Sequence, residues 1–279
     1  MNKPTFSFEF FPPKTEKSSE LLGMAVAELI KLHPKFMTVT YGAGGTTKDG
    51  TIDTIMKKME MTNIPIGSHL TFINTPKSEL FNYVDGLWER GIKHIVALRG
   101  DMPDDLQWPL DDDAEYFQYT SDFVEGLLER HPFEISVGAY PEKHPDSKTL
   151  KADIYALGMK CEAGATRALT QFFFDNEVYY DFVDKCAGAG ITTEIAPGLL
   201  PIHDFKSMCS FAKRCGAIVP QWLYEKFEGL EDKPEDARKL AIELLVDQSE
   251  DLAKNGVDHI HYYTLNKSDI TMQAVKAIS

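Results

Sequence analysis

Eight times along the chain, a short apolar run with the two-residue rhythm of a strand gives way to a longer stretch with helical rhythm. That alternation is the signature of βα units. Strand-like runs begin near Thr5 (TFSFEFF), Phe36 (FMTVTYG), Pro65 (PIGSHLTF), His94 (HIVALRG), Glu134 (EISVGAYP), Arg167 (RALTQFFF), Thr192 (TTEIAPGLL) and His259 (HIHYYTLN). Amphipathic patterns cover Ser18–Leu32, Lys77–Arg90, Ser121–Arg130, Lys148–Ala163, Glu177–Ala187, Asp204–Cys215 and Pro234–Asn255, and Gly91, Gly164, Gly190 and Gly256 close helices just ahead of strands. The runs are nearly continuously apolar, as strands buried on both faces must be. A doubly wound open sheet would usually carry GxGxxG after its first strand, where this chain reads FFPPK. The expectation is therefore an α/β fold, a (β/α)8 TIM barrel, with residues 1–279 forming one catalytic domain.

Size permits this. A chain of 31.4 kDa should expose about 12,000 Å² folded against about 45,000 Å² open, enough burial to need no disulfide or metal staple. A net charge of −14 excludes a basic surface for nucleic acid or anionic membrane. No apolar run approaches a membrane span and no signal peptide is evident, so the expected address is the cytoplasm. The four cysteines (Cys161, Cys186, Cys209, Cys215) show neither CxxC nor zinc spacing and read as free thiols on helices.

In such a barrel, chemistry sits at the C-terminal strand ends. Those positions are Glu9, Thr40, His69, Arg99 to Asp101, Tyr140 to His144, Gln171, Pro197-Gly198 and Asn266-Lys267. Glu9 is the sharpest. Alternation puts Ser7, Glu9 and Phe11 on one face and Phe8 and Phe10 on the other. A carboxylate aimed into the barrel must be paired, protonated or used. Asp101 offers a fixed negative charge beside Gly100, with an ion pair from Arg99 to Asp101 or Asp104 as the plain alternative. The loop from Met102 to Asp113 is either a lid or a solvated insertion, and GAGGTT (42–47) could meet an anion or a cofactor edge. His259 and His261 resemble an HxH metal pair, but a strand produces that spacing by chance, and the first strand lacks the histidine of metal-dependent barrel hydrolases; no metal is expected. Gln171 stands where Schiff-base aldolases of this fold carry lysine.

Taken together, SFEFFPPK (7–14), VTYGAGG (39–45), SHLTF (68–72), HIVALRGD (94–101), SVGAYPEKHPDS (136–147), AGATRALTQFFFD (163–175), APGLLPI (196–202) and YTLN (263–266) resemble methylenetetrahydrofolate reductases, in that family's order from end to end. The resemblance implies an FAD-containing oxidoreductase of one-carbon metabolism, serving methionine biosynthesis, in which NAD(P)H and methylenetetrahydrofolate use one flavin face in turn. By that match Glu9 is the proton donor to the folate. Thr40, Tyr41, Ala43, His69, Arg99, Gly100 and Asp101 line the flavin or its substrate face. Tyr119, Thr120, Tyr140, His144, Ser147, Asp153 and Lys160 fall at cofactor-contact positions. Gln171 contacts both substrates and Phe211 stacks on either. Four positions depart from well-known bacterial members: Ala156 for asparagine, Met159 for a basic residue, Ser207 for glutamine and Lys267 for arginine on the folate. A homo-oligomer is expected, as is a barrel without the regulatory domain of eukaryotic members.

The implied reaction protonates N10 of the folate, opens its ring to an iminium and delivers hydride to the one-carbon unit. An ordinary glutamic acid, with a pKa near 4.3, is only about 0.2% protonated at neutral pH, a handicap of roughly 3.7 kcal/mol. Burial beside Phe11, and a like charge from Asp101 if close, should raise the pKa of Glu9. Asp101 would also stabilise the cation. Two other readings stay open: a flavin-free lyase or transferase using paired carboxylates, and a non-catalytic barrel that binds folate or nucleotide.

Overall fold

The computed structural model describes residues 3–40, 54, 56–58, 60–102, 109–110 and 115–279. Within them the strands are β1 (Thr5–Phe10), β2 (Phe36–Val39), β3 (Ile66–Thr71), β4 (His94–Leu98), β5 (Glu134–Ala139), β6 (Arg167–Thr170), β7 (Glu194–Ala196), β8 (Gly198–Leu199) and β9 (His259–Tyr263). All are parallel, in the order β7-β6-β5-β4-β3-β2-β1-β9-β8. β7 and β8 are two pieces of one strand on either side of Pro197. The first piece pairs with β6 and the second with β9, and the Pro197 carbonyl between them accepts from the His261 N–H at 2.9 Å. The seventh strand thus hands its hydrogen bonds from one neighbour to the other, and the eight-unit sheet closes.

The helices are α1 (Glu16–Leu29), α2 (Lys77–Glu89), α3 (Thr120–Arg130), α4 (Leu150–Glu162), α5 (Asn176–Gly188), α6 (Phe205–Cys215), α7 (Gln221–Phe227), α8 (Pro234–Lys254) and α9 (Asp269–Ile278). Their starts follow from side-chain caps. Thr15, Thr149, Asp175 and Asp204 each accept from a backbone N–H of the first turn. The four glycines expected to close helices all have positive φ, between 84° and 112°.

Even-numbered residues of β1 face outward. Phe8 packs near the Tyr262 ring, whose hydroxyl donates to Ser249 on α8 at 2.9 Å. Each such buried phenylalanine contributes about 2–3 kcal/mol of transfer free energy. Odd-numbered residues face the barrel axis, where Phe36, Val96, Leu169 and Ala196 form an apolar plug. Below the plug, the buried Arg167 guanidinium lies 4.7 Å from the Phe36 ring centroid and binds Glu134 and Glu194 at 3.0 and 2.9 Å. The interior is packed, so a ligand must approach from a mouth. None of the described helices is long and apolar enough to cross a membrane, and all four cysteines are free, on α4, α5 and α6.

Candidate active site

The C-terminal ends of the strands gather most of the residues expected there. Glu9, near the end of β1, is largely buried, with Oε2 3.1 Å from Nε2 of His69 on β3 and 3.4 Å from Nε2 of His261 on β9. β1 lies between β2 and β9, and β3 is one strand further, so closure of the barrel brings the three side chains to one point. Thr40 follows β2, its N–H bonded to Phe10 O at 2.8 Å.

The acidity of Glu9 differs from expectation. Phe11, expected to bury the carboxyl, is itself exposed. Burial does raise the pKa, but the charge of His69 and hydrogen bonds from His261 and His69 outweigh it and hold the carboxyl down to about 2. Asp101 is not among the largest influences on it. Glu9 is therefore ionised in the ligand-free protein and must gain a proton before it can donate one.

A cleft of about 520 Å³ opens across the ends of β4 and β5. Its walls include Arg99, Tyr119, Thr120, Tyr140, His144, Ser147, Asp153 and Lys160, eight of the positions expected to touch cofactor. The segment after β5 is held by short bonds. Asp153 accepts from the His144 N–H at 2.8 Å and from the Ser147 hydroxyl at 3.2 Å, and Tyr140 packs edge-on against His144 at 4.5 Å. Burial pushes the Tyr140 phenol up to about 12 and the His144 imidazole below its ordinary value, so both are neutral near pH 7. Lys160 projects from α4 and donates to Gly138 O at 2.5 Å; burial lowers its pKa. The departures Ala156 and Met159 line the same cleft.

Arg99 binds Asp146 at 2.6 Å; of the two partners weighed as the plain alternative, Asp104 lies outside the described residues. Asp101 is exposed at the mouth, after Gly100 at φ 97°. A Cβ on Gly100 would come within 2.8 Å of Ile73 and 3.0 Å of Thr71, so the turn requires glycine both for its dihedral and for its closeness to β3. Cys215 on α6 feels both carboxylates: burial raises its pKa first, then Asp101 and Glu9 add to the rise. The two acids thus lie within electrostatic reach of one thiol.

Gln171 follows β6 and its Oε1 accepts from the Phe172 N–H at 3.1 Å. Phe211 of α6 stacks on Phe172 with centroids 5.4 Å apart and planes at 17°. Lys267 is exposed in the turn after β9. Ser207, at the start of α6, donates its N–H to the capping Asp204. Tyr41, Ala43, the GAGGTT stretch and most of 102–113 lie outside the described residues.

Sequence reasoning passed over His261, Asp146 and Ser7. His261 looked like half of a chance HxH spacing. Both ring nitrogens of His259 and of His261 are in fact engaged, with Thr5 and Ser7 and with Ser7 and Glu9, so neither is presented as a metal ligand. The signal was available: first and last strands of a closed barrel are neighbours, and period 2 points Ser7, Glu9, His259 and His261 the same way.

The family model described as methylenetetrahydrofolate reductase matches residues 1–279. The chain belongs to the methylenetetrahydrofolate reductase family. It is 41% identical over 265 residues to the 5,10-methylenetetrahydrofolate reductases of Pectobacterium carotovorum subsp. carotovorum and Escherichia coli (strain K12), covering 95% of this chain and 87% of each relative. A Zea mays methylenetetrahydrofolate reductase (NADH) 1 is 31% identical over 275 residues, 95% of this chain and 46% of that one. Among solved structures, a Clostridium thermocellum protein that binds two copies of 5-methyl-5,6,7,8-tetrahydrofolic acid superposes with a TM-score of 0.66 at 15% identity, covering 99% of this chain and 94% of that one. Xanthomonas albilineans dihydropteroate synthase follows at 0.53 and 11%, covering 99% and 90%. These distant structures share the barrel. As a family member the protein is an enzyme, an oxidoreductase acting on methylenetetrahydrofolate.

Proposed function

We propose that the protein reduces 5,10-methylenetetrahydrofolate to 5-methyltetrahydrofolate in the cytoplasm, using NAD(P)H and an FAD held in the cleft across β4 and β5, with nicotinamide and folate occupying one flavin face in turn. The observation that carries the reading is the gathering of eight expected contact residues around one cavity at the C-terminal ends of β4 and β5, the same end of the barrel at which Glu9 stands on β1. The residues present suit a flavin nucleotide. Arg99 and Lys160 supply positive charge, Tyr140 and Phe72 supply aromatic wall, and Thr120 and Ser147 supply hydroxyls. Bound there, FAD would accept a hydride equivalent from NAD(P)H and pass it to the one-carbon unit of the folate.

This chain's own side chains have the remaining tasks. Glu9 carries a proton to N10, which turns a poor leaving nitrogen into a neutral amine as the ring opens. His69 and His261 fix the carboxyl at 3.1 and 3.4 Å and leave its other oxygen for the substrate. Asp101 places negative charge where the substrate becomes cationic. Asp146 holds Arg99 at 2.6 Å and so sets where its guanidinium can meet a phosphate or ring oxygen. Phe211, stacked on Phe172, presents a flat apolar face to whichever substrate is bound.

The test is spectroscopic. The purified protein should be yellow, or become so with added FAD. It should bleach anaerobically with NADH or NADPH and regain colour on addition of methylenetetrahydrofolate, with stoichiometric 5-methyltetrahydrofolate. A protein that takes up no flavin, or whose bleached form is not reoxidised by the folate, overturns the reading.

A further inference from the structure

Glu9 is reached from below as well as from the mouth. From His261, which touches Glu9, a single file of hydrogen bonds descends between the first and last strands. His261 Nδ1 meets Ser7 Oγ at 2.6 Å, Ser7 Oγ meets His259 Nε2 at 2.8 Å, and His259 Nδ1 meets Thr5 Oγ1 at 2.7 Å. The register explains the file. Thr5 stands opposite His259 and Ser7 opposite His261 on paired parallel strands, every member pointing inward at spacing 2. Ser7, His259 and His261 are buried, whereas Thr5 is exposed. His259 also lines a cavity of about 450 Å³ at the N-terminal end of the barrel, the end opposite the active site.

The geometry points to a proton path through the barrel, from the N-terminal face by way of Thr5, His259, Ser7 and His261 to the carboxylate of Glu9. It rests on the reading of Glu9 as the acid in folate reduction. Each turnover of that reaction adds one hydride to the one-carbon unit and one proton to N10, and the proton comes ultimately from water. A ligand seated across the mouth covers Glu9 from above, so a second route from the far face resupplies it without ligand release.

The file has the two settings such a path needs. With Glu9 ionised, His261 Nε2–H donates to Glu9, Ser7 O–H to His261 Nδ1, His259 Nε2–H to Ser7, and Thr5 O–H to His259 Nδ1. A proton arriving at His259 Nδ1 displaces the one on Nε2 to Ser7, Ser7 passes its own to His261 Nδ1, and His261 releases the proton on Nε2 to Glu9. One proton enters and one arrives. Every bond is then reversed, and the Thr5 hydroxyl has a ready acceptor in the Asp258 carbonyl at 3.1 Å. His261, Arg167, Lys35 and His94 all disfavour a stored positive charge on His259; on His261 the hydrogen bond and charge of Glu9 favour one, while His69 and Arg167 oppose it. Burial, the larger influence, keeps both rings neutral. The proton is therefore passed on and not retained. Ser7, His259 and His261 touch no substrate and act through Glu9 as positioning and conducting residues.

A hydroxyl with one hydrogen between two imidazoles imposes a testable rule on the intact protein. Nitrogen NMR of histidine-labelled full-length protein should show His259 and His261 protonated on the same ring position, Nε2 in both while Glu9 is ionised. Opposite tautomers overturn the path. Ser7→Ala should leave flavin reduction by NAD(P)H within about twofold of wild type but slow the folate half-reaction at least about tenfold near pH 8. The deficit should shrink near pH 6, where protons from the mouth are more abundant, and Ser7→Thr should restore the rate. An unchanged folate half-reaction in Ser7→Ala at both pH values overturns the path. Failure of the wild-type protein to reduce the folate at all overturns the reductase reading instead.

Discussion

Glu9 shows how far a single side chain's chemistry is set by what the fold brings to it. Held down to about 2 by His69 and His261, it rests as a carboxylate and acts as an acid only after receiving a proton. Glu9→Gln keeps the side chain's shape and one hydrogen bond to the histidines but carries no transferable proton. Flavin reduction needs no acid here and should survive within about tenfold, whereas reduction of methylenetetrahydrofolate should fall at least about a hundredfold. Folate affinity should persist, because the lost interaction belongs to the transition state. Anaerobic stopped-flow reoxidation of the mutant's reduced flavin measures this directly, and reoxidation at the wild-type rate removes Glu9 as the acid. The inward-facing carboxylate was legible in the sequence from alternation alone. Its partners were not: a histidine on a strand carries no sign of its function until the barrel closes and sets β3 and β9 around β1.

At the scale of elements, seven of the eight strand-like runs became single strands and every marked helix formed, with ends shifted by only a few residues. Among the described residues, the short helices α7 and α9 were not marked, because seven and ten residues give too few turns for a clear helical period. The remaining run, TTEIAPGLL, the seventh in chain order, broke into β7 and β8. Nothing in its apolar continuity announces the break. Its cause is Pro197, which has no N–H for the ladder, followed by Gly198, whose neighbours leave no room for a side chain. A Cβ on Gly198 would lie 2.2 Å from the Thr170 carbonyl oxygen and 2.6 Å from the Tyr263 ring. The same ring's hydroxyl donates to Thr170 O at 2.7 Å, tying β9 to β6 across the split strand. Gly198→Ala must push backbone aside at the seam that closes the barrel. A loss of about 2–3 kcal/mol is expected, read from the urea midpoint. A neutral substitution would mean that the seam has slack.

Across the whole molecule, buried imidazoles set how stability responds to acid. Burial, the largest cause in each case, takes His94 from 6.5 to about 3 and His259 from 6.5 to about 2. In the unfolded chain both titrate near about 6.5. Below that pH the unfolded chain takes up protons that the folded barrel refuses, so their contribution is complete above it and declines as pH falls toward 3. Once well below about 6.5, each histidine contributes a slope of about 1.4 kcal/mol per pH unit. Between about pH 7.5 and 5.5 the pair should remove about 3 kcal/mol, a large part of the stability of an ordinary domain. Glu9 acts in a separate, lower window. With its folded pKa depressed from 4.5 to about 2, its contribution is intact above 4.5 and is lost only as pH falls through the folded value. Urea unfolding at the two upper pH values isolates the histidine effect. His94→Gln, which keeps a partner for the Ser136 hydroxyl that His94 now meets at 2.9 Å, should lose about 1.4 kcal/mol of the pH dependence over that interval, whatever it does to stability at pH 7.5. The pH dependence is the diagnostic quantity, because packing damage lowers both curves equally while a missing titration flattens one. Equal dependence in wild type and variant would show that His94 is protonated inside the folded barrel, and that its buried surroundings supply a counter-charge for it.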